Sequence, residues 1–170
     1  MTKPYLLGVL HDATSRKTTY RISQKSKKFV EFVAFGIKAL DGSAWTYREG
    51  KTRNVYVVEF SKSFLADARI ETLEDKKDYI QGYFDAEGGI AKQSSVRYYI
   101  YFAQKDYKDL VQVRMYLTDV GIVCGKIHNP SAKIDPNYWR FYVAAKSYRD
   151  FAVKIGSRHP EKKSYLRMKI

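Results

Sequence analysis

The stretch Tyr79-Ile80-Gln81-Gly82-Tyr83-Phe84-Asp85-Ala86-Glu87-Gly88-Gly89-Ile90 decides how the rest of the chain is read. Ile80, Tyr83 and Phe84 stand at helical spacing with Gly82 among them, so the stretch reads as the end of a helix. Gly88 and Gly89 are placed to stop it, and a positive φ is expected there. Just inside the stop lies Glu87, with Asp85 two residues earlier. A carboxylate in a last turn faces the negative end of the helix dipole, a placement that local energetics disfavour. A divalent cation, which takes oxygen ligands, supplies a reason for the acid to be there. The plain alternative is a solvated Glu at a frayed helix end.

Ile80 to Gly88, nine positions, resembles the LAGLIDADG motif of homing endonucleases. A second and degenerate copy lies at Tyr5 to Thr14, YLLGVLHDAT, where Gly8 falls on Gly82 and Leu6, Leu7, Val9 and Leu10 take apolar positions. At its tip the copy departs from the pattern. Ala13 stands opposite Glu87, Thr14 opposite Gly88, and Asp12 one place early, opposite Ala86. The resemblance implies two motif helices crossing closely at Gly8 and Gly82. It also implies a metal site at the paired helix tips, formed by Glu87 and Asp12 with Ala86 and Ala13 beside them. Either the first helix end is rotated or unwound so that Asp12 serves as the second carboxylate, or this half has lost its metal ligand. The first is the expectation adopted.

The remainder of the chain repeats. Residues 17–24 alternate with the period of a strand, with Lys17, Thr19, Arg21 and Ser23 on a polar face and Tyr20 and Ile22 on a packed one. An amphipathic helix follows over 25–40, closed by Asp41-Gly42, then strands at about 43–49 and 53–61 around the turn Glu49-Gly50-Lys51, and a short helix over 62–68. A motif helix begins at Leu73. After it, residues 97–105 echo the first strand, with Gln104-Lys105 on Gln24-Lys25 at an offset of 80. A helix at about 106–119 is closed by Gly121 as Gly42 closes the first, and strands at about 122–128 and 137–145 and a helix over 147–155 complete the copy. The expected fold is therefore α+β: a pseudo-two-fold pair of αββαββα units sharing a core, residues 1–72 and 73–170, with two antiparallel sheets forming a saddle. The glycines are 74 apart but the Gln-Lys pairs 80 apart, so the first copy is six residues shorter between motif and strand. It is expected to have shed part of its sheet.

Composition sets the class of partner. The 170 residues carry a formal charge of +13, and 45% are hydrophobic, enough for a substantial core. The excess of cations points to a polyanion, nucleic acid first. No apolar run approaches the ~20 residues of a membrane span, and the opening MTKPYLLGVLHDA is too short and polar for a signal peptide. Cys124 is the single cysteine, so a reducing, cytoplasmic setting is expected.

What the resemblance implies for function is cleavage of both strands of a long double-stranded DNA site, with Mg2+ as cofactor and Ca2+ or Mn2+ able to substitute in crystals. An intron-encoded monomer without membrane contact is implied, since both copies lie in one chain. Gln24 and Gln104 fall where the family often orders the hydrolytic water. Lys25 and Lys105 either neutralise the scissile phosphate or begin the next helix as solvated charges, and the proposed catalytic set is Glu87, Asp12, Gln24, Gln104 and Lys105. Lys76, Lys77, Lys162 and Lys163 lie in expected connectors where the family tends to place a further base. DNA is expected on the polar strand faces, through Lys17, Thr19, Arg21, Ser23 and Lys25 in the first copy and Lys92, Gln93, Arg97, Tyr99 and Tyr101 in the second. Arg48, Lys51, Arg53, Lys126, His128, Lys133 and Arg140 contribute from outer strands and loops, some to base edges and some to phosphates alone. The rival readings are a catalytically degenerate DNA-binding protein, an intron RNA maturase, and a general RNA-binding module. His11-Asp12 is set aside as a dyad because helix neighbours face apart, and His128 and His159 lack metal-site companions.

Overall fold

Two helices crossing at a pair of glycines set the architecture of the computed structural model, which describes residues 1–50, 52–93 and 95–167. Helix α1 (Lys3–Val9) starts at Thr2, whose hydroxyl accepts from the Tyr5 backbone N–H. Helix α3 (Leu73–Glu87) starts with a reciprocal capping box between Thr72 and Asp75. A Cβ on Gly8 would stand 2.6 Å from the Tyr83 backbone nitrogen, and one on Gly82 would stand 2.9 Å from the Tyr5 carbonyl carbon. Only glycine lets the two backbones meet this closely.

From each crossing helix the chain enters an antiparallel sheet. The first has the order β1-β2-β4-β3, from β1 (Ala13–Ser15), β2 (Thr19–Gln24), β3 (Ala44–Arg48) and β4 (Tyr56–Ser61). The second has the order β5-β6-β7, from β5 (Gly89–Ile90), β6 (Ile100–Gln104) and β7 (Trp139–Tyr142). Helix α2 (Lys27–Lys38) covers one face of the first sheet, and α4 (Tyr107–Asp119) and α5 (Tyr148–Lys154) belong to the second half. Each half buries its own cluster. Leu6, Val9, Ile22, Phe29, Val33, Ile37 and Phe60 form one, and Ile80, Phe84, Ile100, Phe102, Leu110, Leu117, Phe141 and Phe151 the other. The motif helices exchange side chains between them, Leu7 packing also on the second cluster and Ala86 on the first.

Five sequence expectations are corrected. The first half has not shed its sheet: it has four strands against three, because β1 begins directly at Ala13 and the missing residues shorten only the connection to β2. The expected strand at 122–128 is reduced to two bridges, Cys124 with Val143 and His128 with Arg140. Four steps on one side oppose three on the other, so a bulge breaks the ladder. The helix over 62–68 is one 3-10 turn, Lys62–Leu65. Gly88 stops α3 in extended backbone (φ −67°, ψ 144°), not at positive φ; its missing side chain is needed because a Cβ would lie 2.7 Å from the Phe84 carbonyl oxygen. The left-handed residue closing α2 is Asp41 (φ 61°), the counterpart of Gly121 (φ 81°), with Gly42 N–H donating to Ile37 O at 2.9 Å.

Candidate active site at the crossing helix tips

The two-fold relation is tight at the crossing. Tyr5 and Tyr79 are 74 residues apart, as are Gly8 and Gly82, and each tyrosine hydroxyl reaches the tip of the opposite helix. Tyr5 Oη donates to Asp85 Oδ2 at 2.7 Å, and Tyr79 Oη meets His11 Nε2 at 2.5 Å. Asp85 is 1% exposed and also accepts from Ser157 Oγ and from the Arg158 backbone N–H at 2.9 Å. It is an anchor, with its acceptors occupied.

Beyond these anchors α1 loosens into a 3-10 turn, Leu10–Asp12, before Ala13 enters β1. That unwinding turns Asp12 to the centre, where its carboxyl is hydrogen-bonded to Glu87 and to the Gln24 amide. Burial, then the Glu87 charge, pushes Asp12 up to about 7, against the Gln24 bond and the Lys162 charge. Burial also raises Glu87, opposed by Lys162. Glu87 thus favours the protonated form of Asp12, whose hydrogen bond in turn favours the charged form of Glu87. Ala13 and Ala86 sit beside them, partly buried against the first cluster.

Lys162, expected in a connector, completes the cluster from a helix. It lies on α6 (Pro160–Arg167), and its ammonium donates to Phe84 O at 2.6 Å and Asp85 O at 2.9 Å. These carbonyls belong to the last turn of α3, so a cation offsets the dipole end that made Glu87 costly. Burial lowers Lys162 to about 8, while Asp85, Glu87 and Asp12 oppose the shift. Lys163 is exposed on the same helix. Lys76 and Lys77 lie within α3, not in a connector, and pair with Asp119 and Glu74, both at 2.5 Å. The sequence signals for α6 were Pro160 at a first helical position and Glu161 behind it.

The other expected residues divide. Asp12, Gln24, Lys25, Lys92, Gln93, Tyr99, Tyr101 and Lys162 line one cavity of about 720 Å³. Gln104, which accepts from the Lys105 backbone N–H at 2.8 Å, and Lys105, which reaches Asp135 at 3.8 Å, are not among the residues lining that cavity. On the open face of the first sheet, Arg21 donates to Glu49 at 2.6 Å and to Tyr47 Oη at 3.2 Å, and Thr19 donates to buried Glu59 at 2.6 Å. Ser23 Oγ is buried there without a partner. Arg48 has the register parity of Ala44 and Thr46, opposite to that of Arg21, and donates to Arg53 O at 3.1 Å. Lys17, Arg53, Arg97, Lys126, His128 and Lys133 are exposed. Arg140 shares the open face of the second sheet with Tyr99 and Tyr101, and Lys51 lies outside the described residues. Sequence reading missed the acids Glu49 and Glu59 on the first face and Tyr142 on the second.

Comparison with known proteins agrees with this geometry. Residues 74–156 match the family described as LAGLIDADG-like domain. The crystal structure of I-DmoI in complex with DNA and Ca is 19% identical, with a TM-score of 0.68 over 98% of this chain and 96% of that one. I-DmoI in complex with DNA and Mn is 20% identical, with a TM-score of 0.66 over 92% and 97%. The full-length DUF199/WhiA protein from Thermatoga maritima is 19% identical, with a TM-score of 0.71 over 98% of this chain and 59% of that one. No curated protein matches the sequence. The fold is the mixed α+β LAGLIDADG fold with two antiparallel sheets. Residues 74–156, just under half of the chain, match the LAGLIDADG-like domain, and the solved structures show the same fold over nearly the whole chain. Among the described residues, no helix is long and apolar enough to cross a membrane.

Proposed function

We propose that the protein is a metal-dependent, site-specific DNA endonuclease acting as a monomer in a reducing, cytoplasmic setting, with residues 1–72 and 73–170 as two copies of one unit. The observation that carries this reading is the contact of Asp12 with Glu87 at the crossing of the glycine-bearing helices. Asp12, which lines the cavity with Gln24, Lys25 and Lys162, and Glu87 beside it supply oxygen donors that suit a hard divalent cation such as Mg2+, which would take the place of the Asp12 proton. Bound there, such an ion supplies the charge that activates water and stabilises a leaving oxygen in phosphodiester hydrolysis. Among the described residues no group of three or more His, Cys, Asp or Glu side chains gathers, so the remaining oxygens would come from backbone, water and phosphate. Gln24 orients Asp12, and Lys162 holds positive charge beside both acids.

The I-DmoI structures with DNA and Mn or Ca support double-stranded DNA as substrate and a divalent ion as cofactor. A supercoiled plasmid library carrying candidate sites, incubated with Mg2+, tests the reading. Linear product supports two competent halves and nicked product one. Binding without any cleavage favours the rival of a DNA-binding protein, to which Ala13 opposite Glu87 lends weight. Glu87→Gln is expected to abolish cleavage and leave DNA binding intact; persistent cutting removes Glu87 from the chemistry.

A further inference from the structure

Helix α4 carries an apolar stripe that the core does not use. Tyr107, Val111 and Met115 stand four residues apart on one face, with Tyr107 47% and Met115 56% exposed. With Ile127 they line a groove of about 360 Å³ whose other walls are Arg114 and Lys126. Leu110, Val113 and Leu117, on the inner face of the helix, fill the core of this half without them. Eighty residues earlier the same helix positions hold Lys27, Glu31 and Phe35, and Lys27 pairs with Glu31 at 3.4 Å. The counterpart groove of the first half is smaller, about 210 Å³, and has that ion pair in its wall. Water suits the ion pair; the stripe on α4 leaves apolar surface without a partner.

The groove is preformed. Arg114 Nε donates to Gly125 O at 2.9 Å, which ties the helix to the bulged segment between the Cys124 and His128 bridges, and the Tyr107 ring stands edge-on to Trp139 at 5.1 Å. It is also one-signed. Of the described residues that line it two are cations and none is an acid. Asp109 and Asp119 of the same helix are engaged elsewhere, by His11 and Lys76. An apolar trough bordered by cations selects large apolar side chains flanked by carboxylates. A phosphate backbone would satisfy the cations and leave Val111 and Met115 unmatched, and a second copy of a chain with charge +13 brings the wrong sign. Because α4 packs against Phe102 and Phe141, the stripe lies on the far side of the sheet from Tyr101 and Arg140.

We propose that the α4 groove docks an acidic segment of a partner protein, its large apolar side chains lying along Tyr107, Val111 and Met115 and its carboxylates meeting Arg114 and Lys126. Docking goes beyond the endonuclease reading and needs no metal. Fluorescence anisotropy of the full chain in EDTA at about 150 mM salt, with a labelled peptide of about twelve residues built from Glu, Leu and Phe, tests it. The control is a peptide of equal length and charge with Ser in place of Leu and Phe. The apolar peptide is expected to bind on the order of tenfold tighter than the control; equal binding of the two, or none up to about 1 mM, overturns the proposal. Met115→Glu, at an exposed position, is expected to keep the wild-type Tm and to weaken the apolar peptide on the order of tenfold, and undiminished binding refutes the site. A benzophenone group on the peptide locates the contact on the wild-type protein: crosslinks within 107–115 or 125–127 support docking there, and crosslinks confined to other segments refute it. Equal loss of duplex DNA binding in Met115→Glu would make the groove a nucleic-acid surface, and dimerisation in sedimentation that the same variant reverses would assign it to a second copy; either overturns the proposal. Because EDTA removes divalent ions, docking and plasmid cleavage stand or fall separately.

Discussion

Metal-free protein should lose stability as pH rises from 5 to 8, and Asp12 should be the cause. The native carboxyl holds its proton up to about pH 7, whereas an ordinary Asp releases it near 3.8. Between those values the folded state binds more protons than the unfolded chain, so stability falls as pH rises and levels off above 7. A rise from 3.8 to about 7 corresponds to roughly 4 kcal/mol. Only the part between pH 5 and 7 falls in this window, roughly 2.7 kcal/mol, and partial relaxation of the coupled pair makes about 1–3 kcal/mol a fair range, on the order of 3–10 °C in Tm for a domain of this size. Other groups titrate too: His159, held neutral down to about pH 4 by burial, adds stability as pH rises through 6.5. The assay is therefore a difference, thermal melts of wild type and Asp12→Asn in EDTA at constant ionic strength across pH 5–8. The wild-type curve should fall relative to the variant, and Ca2+ at pH 8 should restore wild type alone. Parallel curves, or recovery of the variant by Ca2+, would refute a proton held on Asp12 beside Glu87.

Gly82→Ala should cost about 1–3 kcal/mol or more, because the new methyl meets the Tyr5 carbonyl and the helices must part; an unchanged Tm would mean that α1 and α3 do not cross at these glycines. Asp85→Ala leaves the Tyr5 and Ser157 hydroxyls and the Arg158 N–H without their acceptor, with an expected loss of about 3 kcal/mol in urea titration. By contrast Lys77→Ala, which removes a surface pair with Glu74, should stay within about 0.5 kcal/mol. Lys162→Met removes the charge that lowers the proton affinity of Asp12 and Glu87, so carboxyl titration followed by NMR should move both to higher pH; no movement would place the ammonium out of range.

The centre of the molecule was legible because it depends on spacing along one helix. Glycine, tyrosine and aliphatic residues recur at an offset of 74, and sterics at the crossing leave no freedom. Asp12 was legible only as one of two alternatives, since unwinding of a last turn depends on what the next residue does, and here Ala13 starts a strand. Counting residues between motif and strand misled, because it measured the connection and not β1. The partners of Arg21 were hidden for a different reason. Glu49 and Glu59 come from the β3 end and β4, and only the register that sets Arg21 opposite Glu59 reveals the network. Helix α6 has no counterpart in the repeat, so a reading built on duplication had no place for it.

The symmetry fails in an ordered way. Where each helix is pressed on the other, residues 74 apart keep their roles: Gly8 with Gly82, Tyr5 with Tyr79. Three residues further on, His11 and Asp85 share the same offset and each is held by the tyrosine of the other helix, but their further partners come from different elements, Asp109 of α4 for His11 and Ser157 and Arg158 ahead of α6 for Asp85. One step beyond, Gln24 grips Asp12 while Gln104 turns to its own helix start. Mutual steric constraint is therefore confined to the crossing, and each tip answers to whatever packs over it. Lys162 of α6 caps carbonyls at the end of α3 and lowers the proton affinity of both acids, while burial and the Glu87 charge raise Asp12 to about 7. The two helix tips that meet at the glycine crossing thus present unequal carboxylates, an inequality set first by the burial of Asp12 and then by its neighbour Glu87.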